Sequence, residues 1–563
     1  MGATLTHALK GVPMKIIAHR GNLECALENS WQAFSQAVAH GCDRIELDVL
    51  FSQDHHPYVI HDENLLRLTG VQANLGSLSA GEVDGIRLHN GDKIPTLESV
   101  LDTFGPHVSL NIELKSPEAL DAHRVEALLL ARQGKLQSVI LSSFHMEPLR
   151  ALKKSPLLSP DCALALLWEG PIAKHIPQIE AAMEELHATI IHPEAEWMDD
   201  TFIALAKKRG WTVFPWMGRK AEAKSRTRIW ARLVEWKIPG FCTNFPMSLA
   251  GWLRMEEKWI KTRQGLRLRY GSWTSTPNPT RYVVCLTGRG ESIEKYLRLP
   301  LDLQLPADTG CLVWEHRGQG ASEGERFHVE KYEQFVEDLV EFLETAVGSK
   351  PYTILAHSMG SLIALYGVGS NRLHPEKMFL SAPLLGFPVS RALQALVKPG
   401  LELLCSWGWG TKRFTSYGHL KRPFRDNPFT HSEENFLGMR HAQYPSLPMT
   451  FSWLRASQEA VAMVFSSPFF AGLSMPIVIF LAEEERVVSN GESVRWISLA
   501  KEHAPSAPQV HWIPGARHEL FFEAEPYYGA VLSCMKSKEG FRETACAPKG
   551  YAAGSLRKGT TST

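Results

Sequence analysis

The chain has 563 residues, more than one hydrophobic core accommodates and enough for two or three domains. Hydrophobic residues make up 44% and charged residues 21%, the balance of an ordinary globular protein rather than a disordered or fibrous one. Lys+Arg and Asp+Glu each total 60, so no overall charge draws the chain to nucleic acid or to an anionic membrane, and the balance argues against a nucleic-acid binder.

At the start, MGATLTHALKGVPMKIIAHRG lacks the apolar core of a secretory signal, and the first strand is expected by about residue 15. From Lys15 to about Pro246, β-rich runs alternate with helical ones. The expected strands are KIIAHR, RIELDVL, VSLNIEL, VILSSF, CALALLW, TIIHP, WTVFPW and GFCTNFP, with helices such as SWQAFSQAVAH and HRVEALLLARQG between them. HPYVIHD, after the second strand, reads as an inserted hairpin. Eight strand–helix units in roughly 250 residues is the footprint of a (β/α)8 TIM barrel. This first domain is placed at 1–255.

Near 250 the pattern changes: WLRMEEKWIKTRQGLRLRYG is basic and aromatic, and TSTPNPT is a turn-rich edge. A second β/α series runs from RYVVCLTGRG through CLVWEHRGQG, YTILAHSMGS, KMFLSAP and MPIVIFLAEEE to QVHWIPGARHE. It predicts a mainly parallel, doubly wound sheet over 256–540. Between about 386 and 465 the strand rhythm stops, and the aromatic-rich stretch reads as a cap inserted into this core. Residues 541–563, rich in Gly, Ser, Thr, Lys and Ala, read as a disordered tail. The nine cysteines are scattered without a C-x-x-C pair, as free thiols in a reducing compartment are. No run reaches the roughly 18 apolar residues of a spanning helix. The expectation is a cytoplasmic chain, with room for peripheral contact at a membrane surface.

In a strand, residues i and i+2 share a face. Glu46 and Asp48 in RIELDVL therefore project together, as do Asn111, Glu113 and Lys115 in NIELK. Carboxylates turned inward need cations or hydrogen bonds, and in a barrel such groups gather at the C-terminal rim. Glu46, Asp48 and Glu113 suit a hard divalent ion such as Mg²⁺ or Ca²⁺. His19 in IIAHRG and His61 in YVIHDE stand at comparable strand ends, suited to acid–base work on a phosphate ester. Arg20 adds a planar cation that matches phosphate oxygens.

HRG, LENS, IELDV, VIHDENLLRLTG, IPTLESVL and NIELK resemble, in order and spacing, the glycerophosphodiester phosphodiesterases, over about residues 15 to 248. The resemblance implies that His19 and His61 transfer protons and that Glu46, Asp48 and Glu113 hold the metal. Arg20 and Lys115 would contact phosphate, and the glycerol 2-hydroxyl would attack phosphorus through a cyclic phosphate. Two departures stand out. LENS replaces the usual Pro-Glu-Asn-Thr turn, and WTVFPWMGRK lacks the polar residue usual after its Trp, which bears on the substrate pocket.

AHSMGS follows the apolar strand YTIL and precedes a helical run, as in the G-x-S-x-G nucleophile elbow, with Ala356 in place of the first Gly. Ser358 is the expected nucleophile. The order Ser, acid, His places His518 last and an acid after MPIVIFLA, where Glu483, Glu484 and Glu485 all stand. The oxyanion hole needs two backbone N–H groups, expected from Met359 and from Arg289 in TGRGES. No cofactor is expected here. TGRGESIEKY, VWEHRGQGASEG, ILAHSMGS and NPFTHSEENF resemble bacterial lysophospholipases related to monoacylglycerol lipases, over about 262 to 535. In that group an Arg-Val-Val usually follows the acid, which selects Glu485, and His316 and Arg317 shape a turn. The two resemblances together imply deacylation of a lysophospholipid followed by hydrolysis of the resulting glycerophosphodiester to glycerol 3-phosphate and an alcohol. Two other readings remain open: a barrel that acts directly as a lysophospholipase D beside a monoacylglycerol lipase, or one domain that is an inactive lipid-binding module.

Overall fold

The computed structural model describes residues 14–413, 423–444 and 447–536; the expected tail at 541–563 lies outside them. The chain divides into two compact units, Met1–Met255 and Glu256–Thr563.

Among the described residues the first unit carries nine strands: β1 (Lys15–His19), β2 (Arg44–Phe51), β3 (Pro57–Val59), β4 (Ser109–Leu114), β5 (Val139–Ser143), β6 (Cys162–Trp168), β7 (Ile190–Pro193), β8 (Thr212–Val213) and β9 (Gly240–Thr243). Their order is β8-β7-β6-β5-β4-β2-β1-β9, with every neighbouring pair parallel and β3 added antiparallel to β2. Past the end of β8, Trp216 bridges Cys242 of β9 in parallel and closes the ring. This is a (β/α)8 barrel. β2 is buried along its whole length because both faces are covered. Ile45, Leu47 and Val49 point outward and are fully buried, so the alternate residues Glu46 and Asp48 must face the interior. The inside is plugged by Ile17, Ile140, Ala165, Phe214 and Cys242.

The second unit carries β10 (Glu256–Lys261), β11 (Arg267–Trp273), β12 (Arg281–Leu286), β13 (Thr309–Trp314), β14 (Tyr352–His357), β15 (Lys377–Ser381), β16 (Ile477–Ala482) and β17 (Gln509–Ile513), in the order β10-β11-β13-β12-β14-β15-β16-β17. From β13 to β17 all pairs are parallel; β10 and β11 form an antiparallel hairpin on β13. That hairpin begins inside the basic, aromatic stretch where the sequence shows no strand rhythm. Its alternation is hidden because β10 is an edge strand and because Arg269, in β11, is a buried cation. Arg269 is satisfied by Glu315 at 2.5 and 2.9 Å, with Glu257 and Glu294 close by.

The helix Met359–Gly369 is buried from Met359 to Val368 and forms the middle of this unit. Between β15 and β16 the regular elements among the described residues are helices. Its last long helix, Phe451–Val464, returns to the core, where Trp453, Ala456, Ala460 and Val464 join the main cluster. The earlier helix Arg391–Leu404 buries only Leu401.

Candidate active sites

In the barrel, strand register assembles the first site. His19 pairs with Glu46 across β1 and β2, Glu46 with Asn111 and Asp48 with Glu113 across β2 and β4. One carboxylate oxygen from each of Glu46, Asp48 and Glu113 lies within 4.8 Å of the others, and all three residues are buried. Burial and the neighbouring charges of Asp48 and Glu113 push Glu46 well above the ordinary carboxylate range, and burial with Asp48 raises Glu113 to about 7. Burial also acts against ionised Asp48, but Arg20, Lys115 and His61 outweigh it and hold that carboxyl at about 2. Among the described residues Asp48 Oδ1 has no hydrogen-bond partner. Three crowded, oxygen-only donors that repel one another are the donor set of a hard divalent cation, and these residues fit one.

The cations expected to meet phosphate are present. Arg20 Nε lies 3.1 Å from Asp48 and its backbone N–H donates to Glu46 at 2.9 Å. Lys115 Nζ lies 3.0 Å from Glu113 and 3.5 Å from Asp48. The LENS turn supports them. Glu28 joins Arg20 to Arg67, Asn29 donates to Asp48 at 2.8 Å, and Ser30 caps the helix Trp31–Ala39. The sequence marks LENS but assigns these residues no role.

His19 is oriented by residues the sequence reading does not reach. Asn244 Nδ2 donates to Glu222 and to the Met217 carbonyl, both at 2.8 Å, so its Oδ1 faces His19 Nδ1 at 2.9 Å. Nδ1 therefore carries the proton and Nε2 is left toward Glu46, 3.8 Å away. Burial, helped by Arg20, lowers His19 to about 4 and keeps it neutral at pH 7. Asn244 stands in CTNFP just past β9, a strand-end position that could have signalled it. Glu222 is a lone buried acid in a basic helix, with no local signal. His61 is half-buried and paired through Nδ1 with Asp62 at 2.6 Å, which Arg67 holds in turn at 2.5 Å.

In the second unit, β14 ends on His357 and the helix starts at Met359, leaving Ser358 in the turn with φ 50° and ψ −112°. Such a backbone costs on the order of 1–3 kcal/mol and holds the side chain at the top of the sheet, where Ser358 is buried. The turn closes only because Gly360 lacks a side chain: a Cβ there would meet the Leu286 carbonyl oxygen at 2.5 Å. The Met359 amide is the first of the helix, an orphan donor beside the nucleophile. Arg289 sits between two committed amides, Gly288 N–H on Glu291 and Gly290 N–H on Gln319, both at 2.5 Å.

Of the three consecutive glutamates, Glu485 is the one that reaches His518, at 2.8 Å from Nδ1. Its other oxygen accepts from the Val487 and Val488 amides at 2.7 and 3.2 Å. Glu483 instead accepts from Gly515, and Glu484 faces Arg517 and His431. Burial lowers the His518 pKa, but Glu485 and Glu519 outweigh it and the net shift is upward. The His518 ring stands 4.8 Å from that of His357, beside Ser358. Among the described residues Ser358 Oγ makes no hydrogen bond; such contacts often tighten only with substrate bound. His316 packs on Phe335 and Arg317 is bound to Asp338 at 2.6 and 2.7 Å, both buried.

The two sites and their scaffolds define a hydrolase of two units, a (β/α)8 barrel and an α/β-hydrolase domain. Residues 19–248 match the glycerophosphoryl diester phosphodiesterase family and residues 277–525 the serine aminopeptidase S33 family. The chain is 31% identical over 250 residues to the glycerophosphodiester phosphodiesterase of Caldanaerobacter subterraneus subsp. tengcongensis, covering 42% of this chain and 97% of that protein. The probable lysophospholipase L2 of Haemophilus influenzae is 24% identical over 294 residues, 49% of this chain and 90% of its own. Lysophospholipase D of Mus musculus is 35% identical over 275 residues, 42% and 85%. Among solved structures, a monoglyceride lipase of Saccharomyces cerevisiae matches 50% of this chain and 94% of its own at 22% identity and TM-score 0.41. A putative glycerophosphodiester phosphodiesterase of Galdieria sulphuraria matches 43% and 98% at 23% identity and TM-score 0.38. Through its first unit the chain belongs to the glycerophosphodiester phosphodiesterase family, and its second half resembles lipase-type serine hydrolases.

Proposed function

We propose that the chain degrades lysophospholipid in two hydrolytic steps, one in each unit. Ser358 Oγ attacks the acyl carbonyl and its proton passes to His518, which returns it to the departing glycerol oxygen; water then releases the fatty acid. Glu485 orients the imidazole and stabilises its charged form, and the amides of Met359 and Arg289 face the oxyanion. The remaining glycerophosphodiester is the barrel's substrate. Its 2-hydroxyl bonds to phosphorus as the head-group oxygen leaves; neutral His19 accepts a proton, and His61, toward solvent, donates one. Water then opens the cyclic phosphate to glycerol 3-phosphate. Glu46, Asp48 and Glu113 would hold Mg²⁺ or Ca²⁺, which supplies positive charge to the phosphate. Arg20 and Lys115 orient the phosphate oxygens.

One observation carries the reading: a single chain holds a carboxylate–imidazole cluster suited to phosphodiesters and a strained serine elbow beside a Glu485–His518 pair. The test is mass-spectrometric identification of every product from lysophosphatidylethanolamine, with and without chelator. Glycerophosphoethanolamine should accumulate only with chelator, and Ser358→Ala should release no fatty acid yet still cleave glycerophosphoethanolamine.

A second reading, direct lysophospholipase D action by the barrel, is favoured by Phe144 and Trp197, which follow β5 and β7 and are 38% and 46% exposed. Lysophosphatidic acid formed readily by Ser358→Ala would select it. The lipid substrates also suit peripheral membrane contact through the helix Arg391–Leu404. Its exposed Leu393, Leu396, Val397 and Leu403, continued by Trp407, lie along one face, with Gln394, Lys398 and Glu402 on another. No described helix is long and apolar enough to cross a membrane.

A further inference from the structure

Beneath the serine site lies a second cluster of buried ionisable groups that the proposed ester hydrolysis leaves unassigned. Lys295 Nζ lies 2.5 Å from Glu291 and 2.5 Å from Glu519. His357 Nε2 lies 3.1 Å from Glu519 and 3.6 Å from Glu291. Glu291, His357 and Glu519 have the spacing of metal ligands. The ammonium of Lys295, however, already stands between the two carboxylates and supplies the cation. All four side chains are at most 12% exposed.

Each member is joined to a different part of the acyl-transfer machinery. Glu291 accepts from the Gly288 amide and from the Tyr296 hydroxyl, both at 2.5 Å, and so fixes the turn that carries Arg289. His357 precedes Ser358 in the chain and is bonded through Nδ1 to Ser381 Oγ at 3.1 Å. Glu519 follows His518. Buried ions add little stability over apolar side chains of the same volume, so stability alone gives no reason for three or four of them here. We propose that Lys295, Glu291, Glu519 and His357 form a positioning network that locks oxyanion turn, nucleophile elbow and base loop into one register. The network rests on the reading of Ser358, His518 and Glu485 as the ester-hydrolysing triad.

The test uses the full chain and a soluble p-nitrophenyl ester, with Ser358→Ala as the blank. Lys295→Met should lower kcat by about 100-fold, the cost of roughly an ångström of misplacement, while KM stays within about twofold. The groups facing His518 are Glu485, Glu519, His357 and Lys295. Removing the Lys295 charge should move the acid limb of kcat/KM to higher pH, and Glu519→Gln should move it lower. Opposite shifts are what a purely packing role would not produce. Either variant with a wild-type thermal transition, unchanged kcat and an unmoved limb would overturn the network; if Lys295→Met does not fold, Glu519→Gln alone decides. If the wild type cleaves no ester, the triad reading fails. His518 titration followed by NMR in the same variants then still decides the network, which requires the same opposite shifts.

Discussion

Asn244 is the residue through which the barrel's acid–base chemistry is most open to test. It fixes the tautomer of His19 from the Nδ1 side, leaving Nε2 toward Glu46, because its amide is pinned by Glu222 and the Met217 carbonyl. Asn244→Ala should lower phosphodiesterase kcat by about 10- to 100-fold, as loss of such an outer partner does elsewhere. The ester hydrolysis of the same preparation should stay unchanged, and a phosphodiesterase rate within twofold of wild type would show that His19 needs no orienting partner. At the other site the sign of a pH effect is fixed. His518 must be neutral to accept the serine proton, and its pKa is raised above 6.5. Ester hydrolysis should therefore rise with pH through a midpoint above 6.5, and Glu485→Gln should move that midpoint down while lowering kcat. The candidate residues themselves were legible in sequence because strand alternation and family spacing both mark them. Asn244, Glu222 and Glu28 were not, because their roles arise from side chains meeting across 22 or more positions or through a third residue.

Elements were legible where their periodicity is simple and obscure where charge interrupts it. The barrel strands read cleanly because each is flanked by helices and buried on both faces, as β2 is along its length. The hairpin β10–β11 did not, since its edge position and buried Arg269 break the alternation that would announce it. The inserted segment reads in sequence as one aromatic-rich cap, yet its parts differ: Phe451–Val464 is core, whereas Arg391–Leu404 presents an apolar stripe to solvent. Composition does not separate them; only the packing does. That stripe leads to a prediction at the scale of one helix. Leu396, 77% exposed, and Trp407, 64% exposed, have no folding role that burial would reveal. Leu396→Asp combined with Trp407→Ser should reduce co-sedimentation with lysophosphatidylethanolamine-containing vesicles severalfold. Hydrolysis of a soluble ester should be unaffected. Equal vesicle binding by the variant would assign the stripe to something other than lipid.

At the scale of the whole molecule, the residues proposed for each site lie within one unit. The carboxylates and histidines of the first come from β1, β2, β4 and the segments following β1 and β3, with Asn244 following β9, all before Met255. Ser358, Glu485 and His518 all lie after Glu256. The named residues of the two constellations do not overlap, so the two proposed activities should separate cleanly by chemistry. Chelator should abolish phosphodiester cleavage and spare ester cleavage; a serine-directed phosphonate should do the reverse. The same independence makes the value of the fusion measurable. Residues 1–255 and 256–563, produced separately, should each keep its own activity. Their equimolar mixture should convert lysophosphatidylethanolamine to glycerol 3-phosphate with the same final products as the intact chain. A tether can add only effective concentration, and that matters while free glycerophosphodiester is scarce. The intact chain should accordingly show a shorter lag before glycerol 3-phosphate appears than the mixture does, most visibly at nanomolar enzyme, and the difference should vanish when glycerophosphoethanolamine is supplied in excess. Equal lags at every enzyme concentration would mean that covalent linkage gives the second step no kinetic help, and that joining the two hydrolases serves only their joint production.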